Sequence, residues 1–245
     1  MNLVLLRPGE AAADGRAELR DERARHIREV LRAAPGAELR AGVLDGPRGT
    51  AVVESVDGAR VVLRCRFEEP PAPAPRVDLL LALPRPKVLK RLWAQVAALG
   101  VDRVLLTNAA RVERMYFDTH VLAPAFYEPL LAEGLQQAGA TRRPRVSVHR
   151  RLKVLLEDEL GALCPDAVRV VADPGSGLRV ADALAAAGPR RVLAAVGPEG
   201  GWTDPEREML AAHGFAAVGM GARVLRSDTA CVALLALVHD ALRGS

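Results

Sequence analysis

Two short stretches near the C-terminus hold the residues most able to do chemistry. The first is Gly197-Pro198-Glu199-Gly200-Gly201-Trp202, which follows the apolar run RVLAAVG and precedes Thr203-Asp204-Pro205-Glu206. Thr203 with Glu206 three positions on is a capping box, and Pro205 is tolerated in a first helical turn. The stretch therefore reads as a strand, a glycine-bearing loop and a helix start. Glycines let a ligand approach the backbone closely, and ligands of open α/β sheets sit at the carboxyl ends of strands. A tight turn that needs glycine only for positive φ would give the same spacing.

The second stretch, Gly219 to Arg226, again follows a strand-like run and precedes a helical one. Ser227 is a good N-cap there, and Asp228 stands where the helix dipole favours an anion. A third loop, Asp173-Pro174-Gly175-Ser176-Gly177, follows VRVVA. Together, strand-end loops rich in small residues predict one composite pocket. Neither G-x-G-x-x-G nor the phosphate-cradling G-x-x-x-x-G-K-[ST] is present, so an ordinary dinucleotide fold and a P-loop enzyme are unsupported.

Basic residues gather in two places. Arg85, Lys87, Lys90 and Arg91 begin a helix, where cations oppose the dipole by roughly 0.3–1 kcal/mol each. Such placement suits a site that an anion such as phosphate completes, although a solvated helix face would look the same. Arg142, Arg143, Arg145, Arg150, Arg151 and Lys153 form the second group, with no acid between Glu133 and Glu157. Aromatic residues make up only 3% of the chain, so an RNA partner is expected to be held mainly through its phosphates. The histidines (His26, His120, His149, His213, His239) lack metal-ligand spacing, and His26 in RARHIREVLR is the best placed to touch RNA. Cys65, Cys164 and Cys231 suggest neither a zinc site nor a disulfide framework, so no metal and a reduced, cytoplasmic setting are expected.

The elements that must position these residues fall on either side of EEPPAPAPR at 68–76, whose four prolines hold it extended. Before it, short Val/Leu-rich runs alternate with turn signals, and AVVESV, Asp57-Gly58 and ARVVLRCRF read as a hairpin. One helix, near 22–33, carries Ile27, Val30 and Leu31 on one side. Residues 1–70 are thus expected to form a small β-barrel or compact α+β module. After the linker, strands at 77–83, 103–107, 145–149, 168–173, 191–197 and 215–220 alternate with helices near 86–99, 119–138, 151–162, 179–187, 204–213 and 227–243. That alternation predicts an α/β domain over 76–245 with a mainly parallel sheet. The final helix reads as apolar on all sides, as in a core or a subunit interface.

With 245 residues and a net charge of +4, a polyanionic partner is permitted but not demanded. The N-terminus has no secretory pattern, and the apolar run Ala230 to Val238 is short of the ~18–20 residues a membrane span needs. No targeting and no membrane insertion are expected.

AVGPEGGWTDPERE and MGARVLRSDTA resemble the two signature blocks of the RsmE family, which methylates N3 of a uridine in 16S ribosomal RNA. RARHIREVLR followed by Gly36, ALPRPKVLKRLWAQVAALGV and GLQQAGATRRPRV resemble three further blocks in the same order, so the likeness covers nearly the whole chain. It implies an N-terminal PUA-like RNA-binding barrel and a C-terminal SPOUT domain with a deep trefoil knot, an exception to the rule against knots. It also implies S-adenosylmethionine as cofactor, a homodimer, and 16S RNA within the small ribosomal subunit as substrate. Carried over, Ala172, Gly197, Pro198, Glu199, Gly200, Gly201, Met220, Gly221, Leu225 and Arg226 would bind the cofactor. Arg226, Asp228 and Glu199 are the catalytic candidates. His26, Arg32, Arg85, Lys87, Lys90, Arg91, Gln137, Arg142 and Arg143 are the candidates for RNA contact. The chain departs from the family pattern at Asp228, where many relatives carry Glu, and in RVERMYFDTHVL. It departs again at Ala140, where an arginine is usual and where Arg142 or Arg143 could substitute. A non-catalytic ribosome-assembly protein, or a SPOUT methyltransferase acting on another RNA, are the rival readings.

Overall fold

The computed structural model describes residues 2–243. Its chain order is β1 (Val4–Leu6), β2 (Arg16–Leu19), α1 (Glu22–Arg25), β3 (Glu38–Val43), β4 (Arg48–Asp57), β5 (Arg60–Glu69), β6 (Val77–Ala82), α2 (Pro86–Ala98) and β7 (Val101–Thr107). Then follow α3 (Pro124–Ala138), β8 (Arg145–His149), α4 (Leu152–Val154), α5 (Leu160–Leu163), β9 (Val168–Ala172), α6 (Val180–Leu184), β10 (Val192–Val196), α7 (Asp204–Ala212), β11 (Phe215–Val218) and α8 (Ser227–Ala241). The chain divides into two compact units. One runs up to Ala74 and includes Leu131–Arg143; the other comprises Pro75–Leu130 and the chain from Pro144 onward.

In the first unit five strands form a curled half-barrel in the order β1-β3-β4-β5-β2. The sheet is open: β1 and β2 are its edges, where a closed barrel would pair them. Strand β4 turns into β5 at Gly58, with Asp57 opposite Arg60, which is the hairpin that the sequence predicts. Alternating residues of these strands, Val53, Val61 and Leu63 among them, bury one face against Ala24 and Ile27. The helix expected over 22–33 changes character midway. Asp21 caps it by accepting the Arg23 N–H, and from His26 to Val30 it becomes a π turn. The wider turn moves later side chains off the apolar stripe. Ile27 is buried, whereas Val30 and Leu31 are exposed, so those three do not share one face.

The second unit is a six-stranded all-parallel sheet in the order β11-β9-β10-β6-β7-β8. Every residue of the central strands β6 and β10 is buried, as continuous apolar runs covered on both faces should be. The one carboxylate in β6, Asp78, is fully buried and takes two hydrogen bonds from Arg191 at 2.6 and 3.1 Å. Strands β6, β7 and β8 step one way across the sheet, and β9 then returns to the other side with β10 between it and β6. Strand order thus reverses beside β10, the kind of switch point where α/β sheets bind ligands. Most expected elements are present, with shorter ends. The helix expected from 119 begins at Pro124, after 3₁₀ turns at Arg114–Asp118 and His120–Leu122. Helix α8 buries Ala230, Cys231, Leu234, Leu235 and Val238 but leaves Ala236 and Leu237 exposed, so it is not enclosed all round.

No helix among the described residues is long and apolar enough to cross a membrane.

Candidate cofactor and active site

A cavity of about 290 Å3 lies at the carboxyl ends of β9, β10 and β11, near the lower end of the range for small-molecule sites. Ala172 contributes from β9, and Gly197, Pro198, Glu199, Gly200, Gly201 and Trp202 from the loop after β10. Met220, Gly221 and Leu225 come from the loop after β11, and Ser227 and Ala230 from α8. The structure thus gathers into one wall all the expected cofactor residues except Arg226. Arg226 is the N-cap residue of α8 and is exposed. Its carbonyl accepts the Ala230 N–H at 2.7 Å, and its guanidinium has no partner among the described residues.

Close packing shapes these loops. A Cβ on Gly197 would stand 3.0 Å from the Trp202 indole nitrogen, so the ring lies flat against a backbone without a side chain. A Cβ on Gly219 would come within 2.0 Å of the Ser176 carbonyl, which seats the loop after β9 on the end of β11. The Thr203–Glu206 capping box forms, with Thr203 N–H and Oγ1 both donating to Glu206 Oε2 at 2.8 and 2.9 Å. Glu206 also accepts the Ala110 N–H at 2.6 Å. That buried carboxylate therefore ties the loop after β7 to the start of α7.

Among the wall residues outside the expected cofactor set are Arg111, Arg207 and Ser227. Arg111 donates to the Gly200 carbonyl, and Arg207 donates to the Trp202 carbonyl at 2.8 Å. Arg207 stands in the helix that this loop opens, five positions from Trp202, whereas only the fold brings Arg111 to the cavity. Ser227 is the first helical residue rather than the cap. Its hydroxyl, not used for capping, is buried without a partner among the described residues, as is the Trp202 indole N–H. Buried polar atoms ordinarily have partners, so a ligand here should carry polar atoms for both. Ala172, Val196, Leu225 and Ala230 supply apolar wall beside them.

The acids have definite partners. Glu199 Oε1 accepts the Arg85 N–H at 3.1 Å, so a carboxylate stands at the N-terminus of α2. The chain itself thus supplies, in part, an anion for this basic helix start. Asp228 receives Arg91 at 2.6 Å, and that bond holds its carboxyl below the ordinary aspartate value despite some burial. Tyr116 donates to Glu113 at 2.9 Å. Burial raises its phenol, helped by Glu113 and Glu199 and opposed by Arg85.

The remaining RNA candidates are distributed over both units. Lys87 and Lys90 are exposed on α2, with the Lys90 ammonium 5.9 Å from the centre of the Phe126 ring. In the first unit His26 is half-buried within the π turn, its Nε2 unpartnered, and burial lowers its pKa. Arg32 is exposed in a left-handed conformation, φ 51°. Gln137 accepts Asn2 Nδ2 through its carbonyl at 2.7 Å. Arg142 donates to the Ala72 carbonyl at 3.4 Å, and the Arg143 N–H donates to Asp45 at 2.8 Å. The acid-free basic run meets acids through the fold instead: Arg145 pairs with Asp102 at 2.6 Å and Arg150 with Asp118 at 3.0 Å. No cluster of potential metal ligands occurs among the described residues.

Residues 70–239 match the family model of the RNA methyltransferase domain. Across 249 aligned residues the chain is 31% identical to ribosomal RNA small subunit methyltransferase E of Treponema pallidum, covering 97% of this chain and 90% of that protein. The chain belongs to the ribosomal RNA small subunit methyltransferase E family. The Mycobacterium tuberculosis member is 27% identical over 216 residues, 87% of this chain and 82% of its own. The fold is shared with the Neisseria gonorrhoeae member crystallised with S-adenosyl methionine (TM-score 0.74, 20% identity, 97% of each chain). It is shared also with a Legionella pneumophila methyltransferase in complex with the same cofactor (TM-score 0.71, 22% identity, 98% and 97% coverage).

Proposed function

We propose that this family member transfers a methyl group from S-adenosylmethionine to N3 of a uridine in 16S ribosomal RNA, acting in the cytoplasm on the small subunit. The observation that carries the reading is the single cavity built from GPEGGW and MGARVL, with unpartnered Trp202 and Ser227 polar atoms beside apolar wall. Those residues fit a cofactor with a purine, a ribose and a charged amino-acid tail. When bound, S-adenosylmethionine supplies an electrophilic methyl on a sulfonium. On this reading residues 1–70 form the RNA-binding domain and 76–245 the methyltransferase domain. The C-terminal segment would form the family's trefoil knot, and two copies of the chain would pair.

A uracil N3 is reachable only in an unpaired or flipped nucleotide. Its proton must leave before or during attack on the sulfonium methyl, which places negative charge on the base oxygens. That charge is lost as the N–C bond forms and the C–S bond breaks to leave a neutral thioether. Arg226, exposed and uncommitted beside Leu225, is free to meet that charge with its cation. Asp228 is committed to Arg91 and held ionised, which makes it a weak proton acceptor and a good anchor for the start of α8. Glu199 uses one carboxylate oxygen on the Arg85 N–H, so we assign proton acceptance to its other oxygen.

The deciding experiment maps methylation in 16S RNA by mass spectrometry from cells with and without the protein. Loss of one N3-methyluridine is expected. An unchanged map would overturn the target, and calorimetry showing no binding at millimolar S-adenosylmethionine would favour the non-catalytic reading.

A further inference from the structure

The first unit has a cavity of its own, about 450 Å3, between the loop from Arg7 to Gly15 and strand β5. Its floor holds Cys65 and the half-buried ring of Phe67. Phe67 is the only Phe, Tyr or Trp before residue 93, so any base-stacking platform of these strands built on such a ring must be this one. A register shift in the β4–β5 ladder, between Arg48 and Gly49, falls where Gly49 pairs with Phe67. Bulges of this kind re-aim a side chain.

The loop is fixed against that floor. Gly15 has φ +81°, and a Cβ on it would reach within 2.4 Å of the Cys65 carbonyl. The Cys65 N–H donates to the Gly15 carbonyl at 2.8 Å. The charges are arranged asymmetrically. Glu10 is spent on Arg23, at 2.7 and 2.9 Å, and on the Arg7 N–H at 2.8 Å. Asp14 is spent on Arg64 at 3.0 Å and the Arg16 N–H at 3.0 Å. Arg7 itself has 77% of its side chain exposed, and its guanidinium comes only to 4.0 Å from Glu10. One mostly exposed cation, whose guanidinium approaches Glu10 only at 4.0 Å, therefore lines the same cavity as one half-buried ring.

We propose that this cavity takes an unpaired RNA nucleotide, its base against the Phe67 ring and its phosphate on Arg7. The proposal rests on RNA being the substrate, and adds a recognition site remote from the methyl-transfer cavity in sequence. Aromatic stacking accepts any base, and a single arginine tracks the backbone, so the site anchors RNA without reading sequence.

The test uses the full chain, a radiolabelled 16S RNA transcript and filter binding across a salt series, alongside methyl incorporation. Phe67→Leu keeps apolar contact with the core and should weaken binding roughly five- to a hundredfold with an unchanged salt slope. Arg7→Gln, at an exposed position, should weaken binding and lower the salt slope by about one. A merely destabilised protein would not separate the two slopes. Both variants binding like wild type would overturn the site. If Phe67→Leu does not fold, an unchanged affinity and slope for Arg7→Gln overturns it alone. Wild-type protein that binds the transcript yet methylates no RNA would sink the proposed reaction instead, leaving the binding comparison to judge the cavity.

Discussion

Arg226 and Asp228 are two positions apart, yet their surroundings assign them different work. Arg226 is exposed with an unpartnered guanidinium, whereas Asp228 lies 2.6 Å from Arg91. Removing one donor that meets developing charge costs about 10²–10³ in rate. Arg226→Ala should therefore lower single-turnover methylation by about that factor and leave S-adenosylmethionine affinity within a few-fold of wild type. Arg226→Lys should recover only part, since a point charge cannot bridge two oxygens as a planar fork does. Full activity in Arg226→Ala would remove the proposed role. For Asp228 the signature is pH dependence of stability. Its folded pKa is depressed, chiefly by the hydrogen bond from Arg91. The stabilisation is then present in full above the unfolded value, about 3.9, and is lost as pH falls through the lowered folded value. Melting temperatures of wild type and Asp228→Asn should differ by a constant amount at neutral pH and converge only below about pH 4. A gap that closes above pH 5 would contradict the pairing.

At the scale of elements, the strand-end loops show what local sequence can and cannot convey. Gly219 was legible as part of a small-residue loop, but its reason is a carbonyl 43 positions earlier, that of Ser176. Gly219→Ala places a Cβ where that carbonyl stands and should destabilise by about 1–3 kcal/mol, as overpacking does, with cofactor affinity falling alongside. Gly177→Ala, whose Cβ meets nothing within 4 Å, should be near neutral in the same denaturant titration. Equal behaviour of the two would show that the loops are not seated as described. The alternating strands and helices from β6 onward were readable because each is a continuous apolar run bounded by turn residues. The π turn at His26–Val30 was not, since RARHIREVLR keeps ordinary helical spacing and nothing local marks the widened turn. Arg111 was invisible for a related cause, since its partner Gly200 is set by the order in which strands meet. Arg207, by contrast, reaches Trp202 only five positions away, and Ser227 directly follows Arg226. The basic run is acid-free only along the chain, because Asp102 and Asp118 reach Arg145 and Arg150 from other elements.

For the whole molecule, the proposed pairing of two chains makes a demand on α8. Its inner face packs in the monomer through Leu234, Leu235 and Val238, but Ala236 and Leu237 face outward, Leu237 with 41% of its surface exposed. An isolated exposed leucine needs no explanation in itself. Here it sits on the helix that begins at the cofactor cavity with Ser227 and Ala230. A second copy packed on that outer strip would join assembly to the active site through one rigid element. Leu237→Asp would then place a carboxylate in the shared surface, where an unpaired buried charge is strongly unfavourable. In a monomer the same change would be tolerated, because the side chain already meets solvent. Light scattering at micromolar protein should give wild type about twice the chain mass of 26.1 kDa, and Leu237→Asp close to that single mass. The variant should keep the wild-type melting profile when diluted to where both are monomeric. A wild type that runs as one chain would remove the dimer, whereas a dimer unaffected by Leu237→Asp would place its interface elsewhere than this strip.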